Sequence, residues 1–368
     1  MAVAASGPFA ENVLLCDIKI GEGVAAAKIL KNILEKCCAL YNAGGGVLEM
    51  RIVDFEDLEP PHNELNRFWS TLEQKLKALI EPLSYVDVFE RTFDRNSGKV
   101  YLFIKNVPNH FCTLRFNLFL AGDSGIYEAS NIEAINVMTK PLNLKKKRHS
   151  DVDAPLSSLP KVDKEFAYGE SVSFHESRRI EFKHYKSEQI LSENNRTQCD
   201  NLRKIISSFA NTNGGVIYLG ITDEGIAFGH NLERDSTEAI EERVHFLIDK
   251  MYWSVTPKRE VHWDLKFFPV VGKENHSVIV IYVAGMQTSG GVFAKCPVSV
   301  ELRPSEDGSE GQVHLLDFDE WKQRMVGRTD VQTVQTDSKG LYDCMYVLIT
   351  SNDHYVVLAY KVGPRLKM

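Results

Sequence analysis

The sequence predicts an α+β protein of two lobes related by a pseudo-twofold, and three observations carry that prediction. There is an internal repeat, the same order of helices and strands follows each copy, and the composition is globular. Residues 40–54 read LYNAGGGVLEMRIVD and residues 209–223 read FANTNGGVIYLGITD. Aligned without gaps, Asn42 meets Asn211, Gly45 and Gly46 meet Gly214 and Gly215, Val47 meets Val216, and Asp54 meets Asp223. Such self-similarity marks a supersecondary unit used twice. The chain has 368 residues, 43% hydrophobic and 25% charged, which is enough apolar material for two ordinary cores.

The elements follow in order. Apolar residues at helical spacing predict an amphipathic helix over 25–40, ahead of the first Asn/Gly turn, and another over 200–210, ahead of the second. Each turn leads into a β-rich run. Downstream of the first copy come a helix over 64–80 and a strand over 99–105; downstream of the second, a helix over 236–251 and a strand over 277–283. The expected boundaries are a first lobe of 1–139, a linker or bridging excursion of 140–169, a second lobe of 170–327 and a tail of 328–368. The linker holds KKKRH, prolines and serines. The tail has strand-like runs over 345–361 that the repeat does not explain. A chance reuse of an ordinary N-x-G-G turn is the alternative to duplication.

Composition narrows the class. The longest apolar runs are strand-length, too short to span a bilayer, and the first fifteen residues lack the charge and apolar run of a secretory leader. The expected location is the cytoplasm, with the KKKRH run from Lys145 to His149 as an alternative nuclear import signal. Seven cysteines without CxxC spacing read as reduced structural thiols. The net charge of −7 argues against a general nucleic-acid coat, so a nucleic-acid site has to be a local basic patch.

Three acids stand out. In FHESRRIEFKHY the alternation of residues 180–183 puts Glu181 and Lys183 on one strand face. Glu176 has the wrong parity for that face, so it must lie in a bend leading into the strand. Asp223 ends the neighbouring strand. Three carboxylates from two strands suit a hard divalent ion such as Mg²⁺ or Mn²⁺, which serves phosphodiester cleavage. Lys183 is then placed to orient a water or phosphate. The plain alternatives are a surface Glu181–Lys183 pair, a turn aspartate and solvated charge at Glu176.

The same residues resemble the Schlafen family core. Its E-S-x-x-x-E-F-K segment corresponds to Glu176, Ser177, Glu181, Phe182 and Lys183. Its S-x-F-A-N-T-x-G-G run corresponds to residues 208–215, and its acid-ended strand to Gly220–Asp223. The resemblance covers about residues 30–325 and extends to VFAKCP and DEW. It implies a horseshoe-shaped core of two related lobes and a metal-dependent endoribonuclease acting on tRNA or ribosomal RNA. Carried over, Glu176, Glu181 and Asp223 are the Mg²⁺ or Mn²⁺ ligands, with Lys183 beside them as a catalytic residue. The first copy keeps Asp54 but has no Glu-x₄-Glu, so that lobe is expected to hold substrate without cutting. The family's His-x-Cys and Cys-Cys zinc pairs fall on residues 251–255 and 287–291, which contain neither type, so no structural zinc is expected. The chain also ends without the helicase-like extension of long members, so no ATP-driven step is expected.

Candidate RNA contacts are Arg178, Arg179, His184 and Lys186 near the acids, Arg203 and Lys204 on the second helix, and Arg51 in the first lobe. Each alone reads as solvated charge, and only their clustering on one face would count. The competing function is a non-catalytic RNA-binding or regulatory module. Oligomeric state is not legible.

Overall fold

The computed structural model describes residues 12–19, 24–53, 63–107, 110–122, 125–143, 152–161, 165–287, 291–303, 312–326, 330–332, 344–351 and 354–361. In chain order the first elements are β1 (Val13–Ile18), α1 (Val24–Asn42), β2 (Gly46–Ile52), α2 (Asn63–Ile80), the single turn α3 (Tyr85–Val88), β3 (Phe89–Asp94) and β4 (Lys99–Ile104). Next come β5 (Phe119–Gly122), β6 (Gly125–Glu128), α4 (Asn131–Asn143), β7 (Phe166–Ala167), β8 (Ile180–Lys183), α5 (Arg196–Ala210), β9 (Gly215–Leu219), β10 (His230–Asn231) and α6 (Thr237–Asp249). The rest are β11 (Tyr252–Trp253), β12 (Trp263–Val271), β13 (His276–Val283), β14 (Val292–Phe293), β15 (Val300–Arg303), β16 (Gln312–Leu315), α7 (Phe318–Val326), β17 (Asp330–Gln332), β18 (Cys344–Ser351) and β19 (His354–Lys361). The class is α+β, as the sequence predicts. Among the described residues no helix is long and apolar enough to cross a membrane.

Two compact units form, one from Met1–Arg115 with Pro297–Met368, the other from Phe116–Cys296. These boundaries differ from the expected lobes. Residues 116–139 join the second unit, and 297–327 join the first. The supposed linker contributes β7, which pairs in parallel with β12, and Ala154, which bridges to Gly285. A two-residue strand is too short to leave a periodic trace, so composition alone reads this stretch as a connection.

In the first unit the sheet order is β1-β2-β4-β3. Strand β1 buries Leu14, Cys16 and Ile18 and exposes Val13 and Leu15, the two-residue period of a half-covered strand. Helix α1 turns Leu30, Ile33, Cys37, Leu40 and Tyr41 onto the core at helical spacing, and α2 adds Leu65, Leu72, Leu76 and Leu79. Burial pushes the Cys37 thiol pKa up, so it behaves as a small hydrophobe. The pair β15–β16 packs on α1, and β17, β18 and β19 form a separate antiparallel sheet.

In the second unit the order is β7-β12-β13-β9-β8, with β10 beside β13. Strand β13 is buried on both faces: Ile279, Ile281 and Val283 meet α5 and α6, while Val278 and Val280 face Phe166, Phe182 and Tyr218. Helix α5 buries Leu202, Ile205, Ile206, Phe209 and Ala210, one apolar stripe. Ser236 caps α6 by accepting from Ala239 N at 3.2 Å. The edge strand β8 lies parallel to β9, with Glu181 opposite Ile217 and Lys183 opposite Leu219.

The two repeat copies use their asparagine alike at the turn, donating through Nδ2 and accepting through Oδ1. Asn42 Nδ2 donates to Val300 O at 2.8 Å, and its Oδ1 accepts from Cys112 N at 2.8 Å. Asn211 Nδ2 donates to Val292 O at 2.8 Å, and its Oδ1 accepts from Val292 N at 2.8 Å. Gly45 (φ +102°) and Gly214 (φ +70°) each pass a backbone carbonyl so closely that a Cβ would sit 2.7 Å from it, at Ile104 O and Val283 O respectively. The N-x-G-G run is therefore required twice by the same close helix-to-strand connection.

Candidate functional site

The site grows out of how β8 is held. Phe182 is fully buried against Phe174 (ring centroids 5.5 Å) and Tyr218 (5.8 Å), which locks Ile180 and Phe182 inward. Alternation then presents Glu181 and Lys183 on the opposite face. The chain enters β8 through a tight reversal in which Ser177 N donates to Ile180 O at 2.9 Å. That reversal returns Glu176 alongside the strand, where its Oε1 accepts from Phe182 N at 2.9 Å on the free edge of β8. The bend required by the parity of Glu176 is thus present. Asp223 stands one turn beyond β9, where Gly225 N donates to Thr222 O at 2.8 Å. Gly220 makes that exit tight: a Cβ there would lie 2.7 Å from Gly229 Cα.

All three carboxylates converge on the Lys183 ammonium. Lys183 Nζ is 2.8 Å from Glu181 Oε1, 3.7 Å from Asp223 Oδ1 and 3.9 Å from Glu176 Oε1. It also donates to Phe182 O at 2.6 Å. Burial raises the Glu181 pKa; Lys183 opposes that rise and the other two acids reinforce it. Burial works against the charge of Lys183, but its hydrogen bond to Glu181 and the pull of the three acids outweigh it, so its pKa is raised. One cation among three anions leaves the cluster two negative charges in excess. Among the described residues no three His, Cys, Asp or Glu side chains stand as a ready metal cage. The donors nonetheless fit a hard divalent ion: they are all carboxylate oxygens, share one cation position within 4 Å, and are under-neutralised.

The expected basic residues separate into groups. Arg178 and Arg179 form the reversal before β8; Arg179 donates to Ser158 O at 3.3 Å, and its Nε is buried without a partner. The His184 ring lies tilted against Phe228, centroids 5.4 Å apart, and burial, Lys186 and His230 lower its pKa. His184 and Lys186 line a cavity of about 630 Å³ at the end of β8. Arg203 pairs with Asp200 at 3.3 Å and borders a different cavity, of about 810 Å³, with Arg196, Arg243 and Lys295. Lys204 lies over Phe119 at 5.7 Å. Arg51 belongs to the other unit and pairs with Asp17 at 3.0 Å. Asp54 and the KKKRH run lie outside the described residues.

Where the family's zinc would stand, β11 pairs with β14. Trp253 Nε1 donates to Ile248 O at 3.0 Å, and Ser254 Oγ to Gly291 O at 2.8 Å. Trp263 and Phe267 pack in the same core.

Residues that sequence reasoning missed also gather here. Asp235, fully buried, accepts from Ile190 N at 3.0 Å, lies 3.0 Å from His230 Nε2 and is ion-paired with Arg243. Tyr168, Phe228, His230 and His276 line the cavity with His184. With His184 they come from four separate segments, and no spacing in the sequence links those segments.

A family model described as Schlafen, AlbA_2 matches residues 176–291, a stretch that opens on Glu176 and contains Glu181, Lys183 and Asp223. The chain is similar to the Schlafen family over that stretch. It is 23% identical over 340 residues to a protein named Poxin-Schlafen from Monkeypox virus (strain Zaire-96-I-16), covering 83% of this chain and 60% of that relative. A second Poxin-Schlafen, from Monkeypox virus, is 23% identical over 336 residues with the same coverage. The chain thus spans about three fifths of the length of these relatives.

Proposed function

We propose that this chain is a Schlafen-type divalent-metal-dependent endoribonuclease that cuts structured RNA, with tRNA as the expected substrate class and ribosomal RNA next. The observation that carries the reading is the convergence of Glu176, Glu181 and Asp223 on one cation position beside an exposed strand edge. Those three residues would hold Mg²⁺ or Mn²⁺, and when bound the ion would supply positive charge against the phosphoryl oxygens during cleavage. Lys183 has the reach and charge to leave the acids and pair with the scissile phosphate. Arg178, Arg179 and Lys186, flanking the same strand, are suited to neighbouring phosphates, as RNA is gripped largely through its backbone. Arg203 and Lys204 on α5, and Arg51 on the other unit, are proposed as outlying phosphate contacts. The expected place of action is the cytoplasm.

A tRNA transcript incubated with Mg²⁺ or Mn²⁺ tests this. Glu181→Ala and Asp223→Ala should each cut more than about a hundredfold more slowly, since even outer partners of metal ligands are worth 10- to 100-fold, while RNA affinity persists. Equal cleavage by the wild-type and variant proteins refutes the proposal. A non-catalytic RNA-binding module is the second reading. It is favoured by one fact: Lys183 already fills the cation position. RNA affinity with no metal-dependent product would select it.

A further inference from the structure

The cavity beside the carboxylates has a chemistry of its own. Tyr168, just after β7, packs edge-on to Phe228 at 5.5 Å and to His276 at 6.1 Å, while the His184 ring lies tilted against Phe228 at 5.4 Å. These four rings line one space of about 630 Å³, together with Lys186 and Arg234. Tyr168 is 42% exposed, although a ring in so aromatic a setting has every reason to be covered. Lys273 Nζ sits 5.4 Å over its face. Lys186 has no ion-pair partner among the described residues, and Arg234 is held at the rim by Glu188. An aromatic wall with cations at its edge matches a nucleotide: the rings take the base face and the cations the phosphate.

Position strengthens the match. His184 and Thr222 line this space, and they directly follow Lys183 and directly precede Asp223 in the chain. The cavity and the carboxylate cluster therefore share the end of β8 and the turn after β9. A base seated among the rings would leave its phosphodiester at that shared strand end.

We propose that this cavity takes one unpaired base of a structured RNA and thereby sets which phosphodiester faces Glu176, Glu181 and Asp223. The inference rests on the nuclease reading and adds a substrate class: RNA with a loop, bulge or end at the cut, rather than continuous duplex. A stacked, paired base has to be pulled from the helix at a cost, whereas an unpaired one enters without it.

The test uses the full chain in EDTA, so that no cleavage intervenes, and a blunt RNA hairpin whose loop nucleotides carry bases or are all abasic. Wild-type protein should bind the abasic hairpin about 5- to 150-fold more weakly, the range that base–aromatic stacking supports. Tyr168→Phe keeps the ring and should keep that ratio. Tyr168→Ala should bind both hairpins equally and no better than wild type binds the abasic one. If wild type binds both alike, or Tyr168→Ala still discriminates, the base pocket is overturned while RNA binding stands. If neither hairpin binds at low salt, the nucleic-acid reading fails and the pocket with it.

Discussion

Replacing Lys183 by methionine removes the ammonium from among Glu176, Glu181 and Asp223 and keeps most of the side-chain volume. The local charge changes from −2 to −3, because one cation is lost and three anions remain. Of its three ion pairs, the one to Glu181 at 2.8 Å matters most, because the Lys183 and Glu181 side chains are only 25% and 19% exposed. Asp223 is 76% exposed, so water screens its share. Exposed pairs are worth up to about 1 kcal/mol and breaking a fully buried pair costs about 3–5 kcal/mol. The half-buried Glu181 pair falls between, so Lys183→Met should lose about 1–3 kcal/mol in metal-free buffer. The vacated position should then bind Mn²⁺ more tightly than in wild type. At a Mn²⁺ concentration about a hundredfold above Kd, binding to the folded state alone restores about 2.7 kcal/mol. The assay is urea unfolding followed by circular dichroism, with EDTA or with Mn²⁺. The midpoint should fall in EDTA and recover with Mn²⁺, and the recovery should vanish on adding Glu181→Ala. If Mn²⁺ leaves the Lys183→Met midpoint unchanged, the carboxylates are not a metal site.

Two further outcomes follow from the scaffold. Asn42→Ala and Asn211→Ala each strip a buried amide that both donates to and accepts from passing backbone, leaving Cys112 N or Val292 N unpaired. Each should cost about 1–3 kcal/mol in urea unfolding, and a neutral result at either position would contradict the shared role of the repeat. Burial lowers the His230 pKa; Arg243 and His276 push the same way, and Asp235 partly opposes them. The folded state therefore binds fewer protons than the unfolded one over the window below the ordinary histidine value. Stability from this residue is complete above about pH 6.5 and is lost as pH falls through that window. His230→Gln should flatten the decline of the urea midpoint between about pH 7.5 and 5.5; an unchanged slope would reject the assignment.

The sequence by itself determined the local pieces. Leucine and isoleucine spacing placed α1, α2, α5 and α6, and Asn42 and Asn211 marked the same connection in both copies. The alternation around Phe182 put Glu181 and Lys183 on one face, and parity demanded a bend at Glu176. These features repeat over a few residues, so they are legible without knowing what packs against them. Only tertiary structure decided the rest. Two-residue β7 exists because β12 lies beside it, and residues 116–139 and 297–327 belong to units that their position in the chain does not suggest. Lys183 reads as a neighbour of the acids in the sequence, yet its ammonium stands at their meeting point. The aromatic cavity depends most on folding: Tyr168, His184, Phe228 and His276 come from separate segments, and their meeting is set by strand order, which no local pattern encodes.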